Sequence, residues 1–247
     1  MVSSKFAIAA LLLLAACSQS DAPSEEVAEA AKQAVEVVEG DEAPKLARGP
    51  YAPRDECGTL PGADDFIDDV RTAIDERDAV ALVALAAEDV KLDFGGGSGT
   101  AELRRRLGDP QDALWQDLAP LPDLGCAANS QGGITLPWYF EQKTSVDDPG
   151  DGFIVTGEGV PVYNAPDEEA PVLARLSWEA VEMLHEGPEY PGYRHVRLIP
   201  AVLTQRDDEA PLEGYVAEDR LRSLIDYRLT AASRNGRWRI ISLVAGD

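Results

Sequence analysis

Five aromatic side chains in the second half of the chain, Tyr163, Trp178, Tyr190, Tyr193 and Tyr215, are the residues best suited to hold a ligand. Rigid rings give a peptide or glycan a platform at low entropic cost. Trp178 and Tyr190 stand beside turn residues and are expected to be exposed, whereas core packing is the plainer reading for Tyr193 and Tyr215. Other patterns that could do chemistry fall short. The run Gly95-Gly96-Gly97-Ser98-Gly99-Thr100 could offer backbone N–H groups to an anion, yet no Lys follows it as a phosphate loop requires. Ser98 is not a nucleophile elbow, because Thr100 takes the place of the second Gly. From Asp147 to Glu158 the chain partly matches a calcium loop, but Pro149 supplies no side-chain oxygen and the flanks read as strands. His185-Glu186 opens a zinc-protease pattern, and Glu189 stands where its second His must be. His195 lies in an alternating strand, packed or at an edge. No Ser/His/Asp or Cys/His arrangement has a recognisable spacing, so a non-enzymatic protein without metal or cofactor is expected.

Those aromatic residues sit in a stretch of short, β-branched or alternating runs: Ile154-Val155, Val160 to Tyr163, Val172 to Leu176, Ala180 to Leu184 and Tyr193 to Leu198. Turn residues separate them, the spacing of a small barrel. A closing hairpin is predicted from Tyr227 to Ala232 and Arg237 to Leu243 around Asn235-Gly236, a pair that tolerates the positive φ of a type I′ turn. Trp238, Ile240 and Leu243 are its candidates for burial.

Residues 53–140 read as a separate α+β unit. Asp64 or Asp65 caps a helix presenting Phe66, Val70, Ala73 and Ile74, and Asp78 caps a second through Val80, Val83 and Leu85. Val90 to Phe94 is expected as a strand, and Asp109-Pro110 as the start of a helix carrying Leu114, Trp115 and Leu118. Gly133 to Phe140 reads as a strand that Pro137 confines to an edge. Residues 141–152 form a polar linker, and 153–247 hold the barrel and the hairpin.

The N-terminus carries Lys5, an apolar run from Phe6 to Ala16, and then Cys17 after Leu14-Ala15-Ala16. A charge, a short apolar stretch and small residues before a cut are the order of an export signal, and the run is too short to cross a bilayer. Cys17 resembles the lipidated residue of bacterial lipoproteins, which implies cleavage after residue 16. It also implies an envelope location facing the periplasm, with Ser18 pointing to the outer membrane. Residues 17–52 then form an acidic tether, with a possible helix from Ser24 to Gly40. With Cys17 taken by lipid, Cys57 and Cys126 remain as an even pair, and an oxidising compartment favours a disulfide between them.

The chain carries 45 acidic and 22 basic residues, a net charge of −23. Lys and Arg are few and scattered along the sequence, which argues against nucleic acid as a partner and against attraction to anionic headgroups. Membrane attachment is therefore expected through the lipid on Cys17 alone.

Residues 154 to about 218 resemble a bacterial Src-homology-3 domain. The match rests on Val155-Thr156-Gly157, Val160-Pro161-Val162-Tyr163-Asn164-Ala165-Pro166, Val172 to Leu176, Tyr193-Arg194-His195-Val196 and Gly214-Tyr215-Val216. Asn164 stands where that family has Arg, and Tyr193 and Tyr215 where it usually has Trp. The whole arrangement is similar to proteobacterial lipoproteins with an Asp-Phe-Gly-Gly run, here Asp93 to Gly96, and a Gly-Arg-Trp-Arg to Ala-Gly-Asp ending, here Gly236 to Asp247. The resemblance implies an α+β unit followed by a Src-homology-3-like barrel with an added hairpin, binding an envelope protein or a peptidoglycan peptide. A barrel that serves assembly and binds no ligand is the alternative, and an envelope hydrolase a third reading.

Overall fold

Helix α1 (Ala63–Asp75) forms because Phe66, Val70, Ala73 and Ile74 recur at helical spacing and go into the core together. It starts two or three residues earlier than expected. Gly62, at φ 71°, is the N-cap, and Asp64 and Asp65 instead lie in the first turn, where the helix dipole favours them. This computed structural model describes residues 47–111, 113–199 and 211–246. Cys17 and the expected helix from Ser24 to Gly40 lie outside the described residues. Residues Leu46–Asp247 make one compact unit.

Asp78 caps α2 (Ala79–Leu85) as expected, its carboxylate accepting from the N–H groups of Val80 and Ala81 at 2.9 and 3.0 Å. The face differs from expectation: Leu82 and Val83 are buried, while Val80 is 76% exposed. The chain passes directly into β1 (Ala86–Lys91), four residues earlier than predicted, and Phe94 lies beyond the strand, exposed. Helix α3 (Thr100–Leu107) buries Leu103 and Leu107. Asp109-Pro110 does not start the next helix. Asp109 Oδ1 accepts from the Gln111 N–H at 2.9 Å, which closes a local turn, and α4 (Leu114–Leu118) begins after it.

Strands β2 (Ala127–Ala128) and β3 (Ile134–Leu136) follow. β3 is not an edge: it pairs with β2 through Ala127↔Thr135 and with the hairpin through Leu229↔Leu136. Pro137 falls just past it, so no ladder bond is lost. The run predicted as one strand then turns into a 3₁₀ helix over Trp138–Glu141.

The second half supplies β4 (Gly152–Val155), β5 (Val160–Tyr163), β6 (Val172–Leu176), β7 (Ala180–Met183), β8 (Tyr193–Leu198), β9 (Glu213–Ala217) and β10 (Leu221–Ser223). They form an antiparallel sheet in the order β10-β4-β7-β8-β9-β5-β6. The sheet is open, with β10 and β6 as its edges, and does not close into a barrel. The terminal hairpin is β11 (Arg228–Arg234) and β12 (Arg237–Val244), and both turn residues, Asn235 at 55° and Gly236 at 74°, have the positive φ of the predicted turn.

The hairpin does not extend the second sheet. It completes the first, in the order β1-β12-β11-β3-β2, with β12 parallel to β1. The fold is thus α+β with two sheets, and the seven-stranded sheet is inserted between β3 and β11. Leu229, Ala231, Trp238, Ile240 and Leu243 of the hairpin pack beneath the four helices in one core. The Trp238 indole N–H donates to the Pro61 carbonyl at 3.0 Å, fixing the hairpin to the start of α1. A second core joins Leu124, Ala127, Trp138 and Tyr139 to Ile154, Ala180 and Leu224, so the two sheets share buried surface. A third consists mainly of valines (Val155, Val160, Val162, Val181, Val196 and Val216) under the second sheet. Cys57 and Cys126 are both buried, with Cα atoms 5.8 Å apart and sulfurs at bonding distance.

Candidate functional site

Alternation along β8, β9 and β5 decides which side chains face away from the valine core. Val196, Val216 and Val162 point inward, so Tyr193 and His195, Tyr215, and Tyr163 point outward. Register then sets them side by side: His195 is opposite Tyr215, and Tyr163 is opposite Tyr215 on the other flank. Gly214 lets β9 lie this close to β5, since a Cβ there would come within 2.7 Å of the Tyr163 carbonyl oxygen. Tyr190 joins from the loop before β8, where its carbonyl accepts from the Tyr193 N–H at 3.1 Å across a turn through Gly192.

The rings touch. His195 stacks on Tyr215 at 4.8 Å, Tyr190 meets Tyr215 edge-on at 5.5 Å, and Tyr163 meets Tyr193 edge-on at 6.2 Å. All five are half-buried. Edge-to-face and offset contacts of this kind hold rings rigid without covering their outer surfaces. Desolvation, then Tyr163 and the negative charges of Glu168, Asp167 and Asp219, hold the Tyr193 phenol above its ordinary pKa. That phenol stays neutral at physiological pH, and the same carboxylates make the rim electronegative.

Beside this face lies a cavity of about 410 Å³ whose lining includes Phe153, Met183, Tyr190, Tyr193, His195 and Leu221. The loop from Leu184 to Gly192 forms one wall, and its Glu186 and Glu189 line the opening. His185 Nε2 lies 2.6 Å from Asp151 Oδ1 and ties the loop back to the start of β4. Arg194 and Glu218 pair at 2.5 Å beside the cavity.

Of the five aromatic residues singled out by sequence, four converge and one does not. Trp178 is half-buried against the core shared by the two sheets, at φ 50°, with its backbone bonded to Tyr51 and Gly157. It is therefore not an exposed loop residue beside the tyrosines. Sequence alone reads His195 as a packed or edge residue rather than a site residue, although its place two residues after Tyr193 in an alternating strand puts both on one face. It passes over Phe153 and Leu221, which only strand order brings to the cavity.

The other patterns are built differently. The glycine run is closed on itself: the Leu92 N–H donates to the Gly97 carbonyl at 2.9 Å, and the Gly97 N–H to Asp93 at 2.7 Å. Arg106 fills the loop, pairing with Asp93 and Glu102 and donating to the Leu92 carbonyl at 3.1 Å. The acidic residues between Asp147 and Glu158 turn to separate partners. Asp148 accepts from the Gly150 N–H, Asp151 faces His185, and Glu158 accepts from the Arg48 N–H. Among the described residues, three metal-ligating side chains come together at Asp55, Cys57 and Cys126, where the two sulfurs are engaged with each other. No family model matches the chain, and no curated protein matches it.

Proposed function

We propose that this protein is a lipid-anchored envelope protein that binds a peptide, of the cell wall or of another envelope protein, and catalyses no reaction. The observation that carries this reading is the outward row Tyr163, Tyr215 and His195, flanked by Tyr190 and Tyr193, with His195, Tyr190 and Tyr193 also lining the neighbouring cavity. Rings and a carboxylate rim are groups that bind. They suit an extended peptide carrying aliphatic surface and an amine, which a tyrosine face attracts electrostatically. On this reading the seven-stranded sheet is a Src-homology-3-like module in an open form, with its ligand face on β5, β9 and β8. Cys17 carries the lipid that holds the unit at the membrane, facing the periplasm.

The unit Leu46–Asp247, incubated with purified peptidoglycan and with envelope proteins under crosslinking, is expected to be retained by one of them. Tyr215→Ala removes the ring that touches both His195 and Tyr190 and is expected to abolish retention with little change in the unfolding midpoint. Retention unchanged in that variant would place the ligand elsewhere. A crosslinked partner that survives the substitution would favour the assembly role, for which the core shared by the two sheets speaks. Anchoring is tested separately, because a Cys17→Ala chain that still fractionates with membranes contradicts lipidation at that residue.

A further inference from the structure

The helices cover one face of the five-stranded sheet. The residues that alternate with its core positions lie on the other, and they are unusual for a chain of net charge −23. Arg234 stands directly opposite Arg237 across the hairpin, and Arg239 follows on the same side opposite Ala232. Arg228 lies at the far end of β11, and Lys91 of β1 is in register with Ser242. Five of the 22 basic residues, which look scattered in the sequence, are thus gathered on one sheet face.

Two exposed rings complete it. Phe94 is 48% and Phe140 36% exposed. The Lys91 ammonium sits 3.9 Å from the centre of Phe94, and the Arg228 guanidinium 4.3 Å from that of Phe140. A groove of about 300 Å³ runs past Ala87, Asp89, Arg234, Arg237, Arg239 and Ile241. Glu88 and Asp89 are the acidic groups lining it, yet among the described residues no ion pair is made by Arg234, Arg237 or Arg239. Like charges directly opposite on neighbouring strands cost stability, so the fold by itself does not explain this arrangement.

We infer that this face rests on a membrane surface carrying anionic phospholipid headgroups. The seven residues of β11 extend about 20 Å, so arginines at one end and cation–phenyl pairs at the other span several headgroups. Guanidinium groups grip phosphate oxygens in a fork, and phenyl rings enter the interface beside them. The acidity of the rest of the chain does not oppose this contact, because charges more than about 10 Å from the surface are screened. It instead disfavours every other orientation. The inference rests on the envelope reading only in requiring a membrane within reach, and it needs no lipid on Cys17.

The test uses the Leu46–Asp247 unit, whose cores and cysteine pair are all internal to it. At about 0.1 M salt, where the screening length is about 10 Å, it is expected to sediment with vesicles of phosphatidylglycerol and phosphatidylcholine, not with phosphatidylcholine alone, and to be released at about 1 M salt. Arg234→Ala/Arg237→Ala/Arg239→Ala is expected to weaken binding on the order of a hundredfold, with its fold kept because these side chains lie outside the core. Absence of sedimentation overturns the inference, as does equal binding by the triple variant. Binding to soluble polyglutamate without binding to vesicles also overturns it, and assigns the face to an acidic protein. Since Cys17 is absent from this unit, failure here leaves the Cys17→Ala fractionation result standing, and the reverse.

Discussion

Ile240→Ala tests the assignment of the hairpin to the first sheet. Ile240 is fully buried, opposite Ala231 of β11 and Ala86 of β1, in the core beneath the helices. The substitution removes three carbons, worth about 0.8 kcal/mol each in lost transfer energy, or about 2.4 kcal/mol. The cavity left between two sheet neighbours and a helix layer adds on the order of 1–2 kcal/mol, for a total near 4 kcal/mol. Domain stabilities are about 5–15 kcal/mol, so the loss should be large enough to read as a shifted urea midpoint. Amide exchange then locates it. Protection at Val70, Leu82 and Leu103, which share the core with Ile240, should fall at least as far as at Val162, Val196 and Val216 of the second sheet. A cost below about 1 kcal/mol would contradict the packing argument. Loss of protection confined to the three valines would show that the hairpin belongs with the second sheet after all.

Alkaline pH and cysteine replacement probe two further buried features. Burial pushes the Tyr139 phenol up to about 12, offset in part by the neighbouring Arg222, so its folded pKa lies above the ordinary 10.0. The neutral phenol therefore contributes its full stability below pH 10 and loses it as pH rises toward about 12, on the order of 3 kcal/mol in all. Tyr139→Phe should flatten the fall of the urea midpoint across that window, and identical slopes in the two proteins would count against it. Cys57 and Cys126 are 69 residues apart, and a crosslink closing a loop of that size is worth on the order of 4 kcal/mol in the chain-entropy model. Cys57→Ala/Cys126→Ala is expected to lose most of that, and the non-reduced Leu46–Asp247 unit should show no free thiol in denaturant; two free thiols would refute the crosslink.

Local rules carried much of the fold. The buried face of α1 follows from four apolar residues at helical spacing, the Asp78 cap from a side chain bonding its own next turn, and the hairpin from Asn235-Gly236 between alternating runs. Strands β4 to β8 match the predicted runs because β-branched patterns between turn residues are themselves local. The errors share a cause. Asp109 and the Asp64–Asp65 pair have the residue type of a helix cap, but a carboxylate also serves a turn or a first helical turn, and the surrounding chain chooses between them. Val80 and Phe94 are apolar yet exposed, because the direction a short helix or strand end faces is set by what packs on it.

The candidate site divides in the same way. Residue types and alternation alone place Tyr193 and His195 on one side of a strand, and they mark Tyr163, Tyr190 and Tyr215 as rings near turns or strands. They do not say that β9 lies between β8 and β5, which is what stacks His195 on Tyr215 and leaves Trp178 against the shared core. Strand order depends on contacts between residues far apart in the chain, and no local period records it. The same holds for charge. Composition shows an acidic chain with few cations. The pairing of β12 with its hairpin partner β11 and, far across the chain, with β1 gathers Lys91, Arg228, Arg234, Arg237 and Arg239 onto one face.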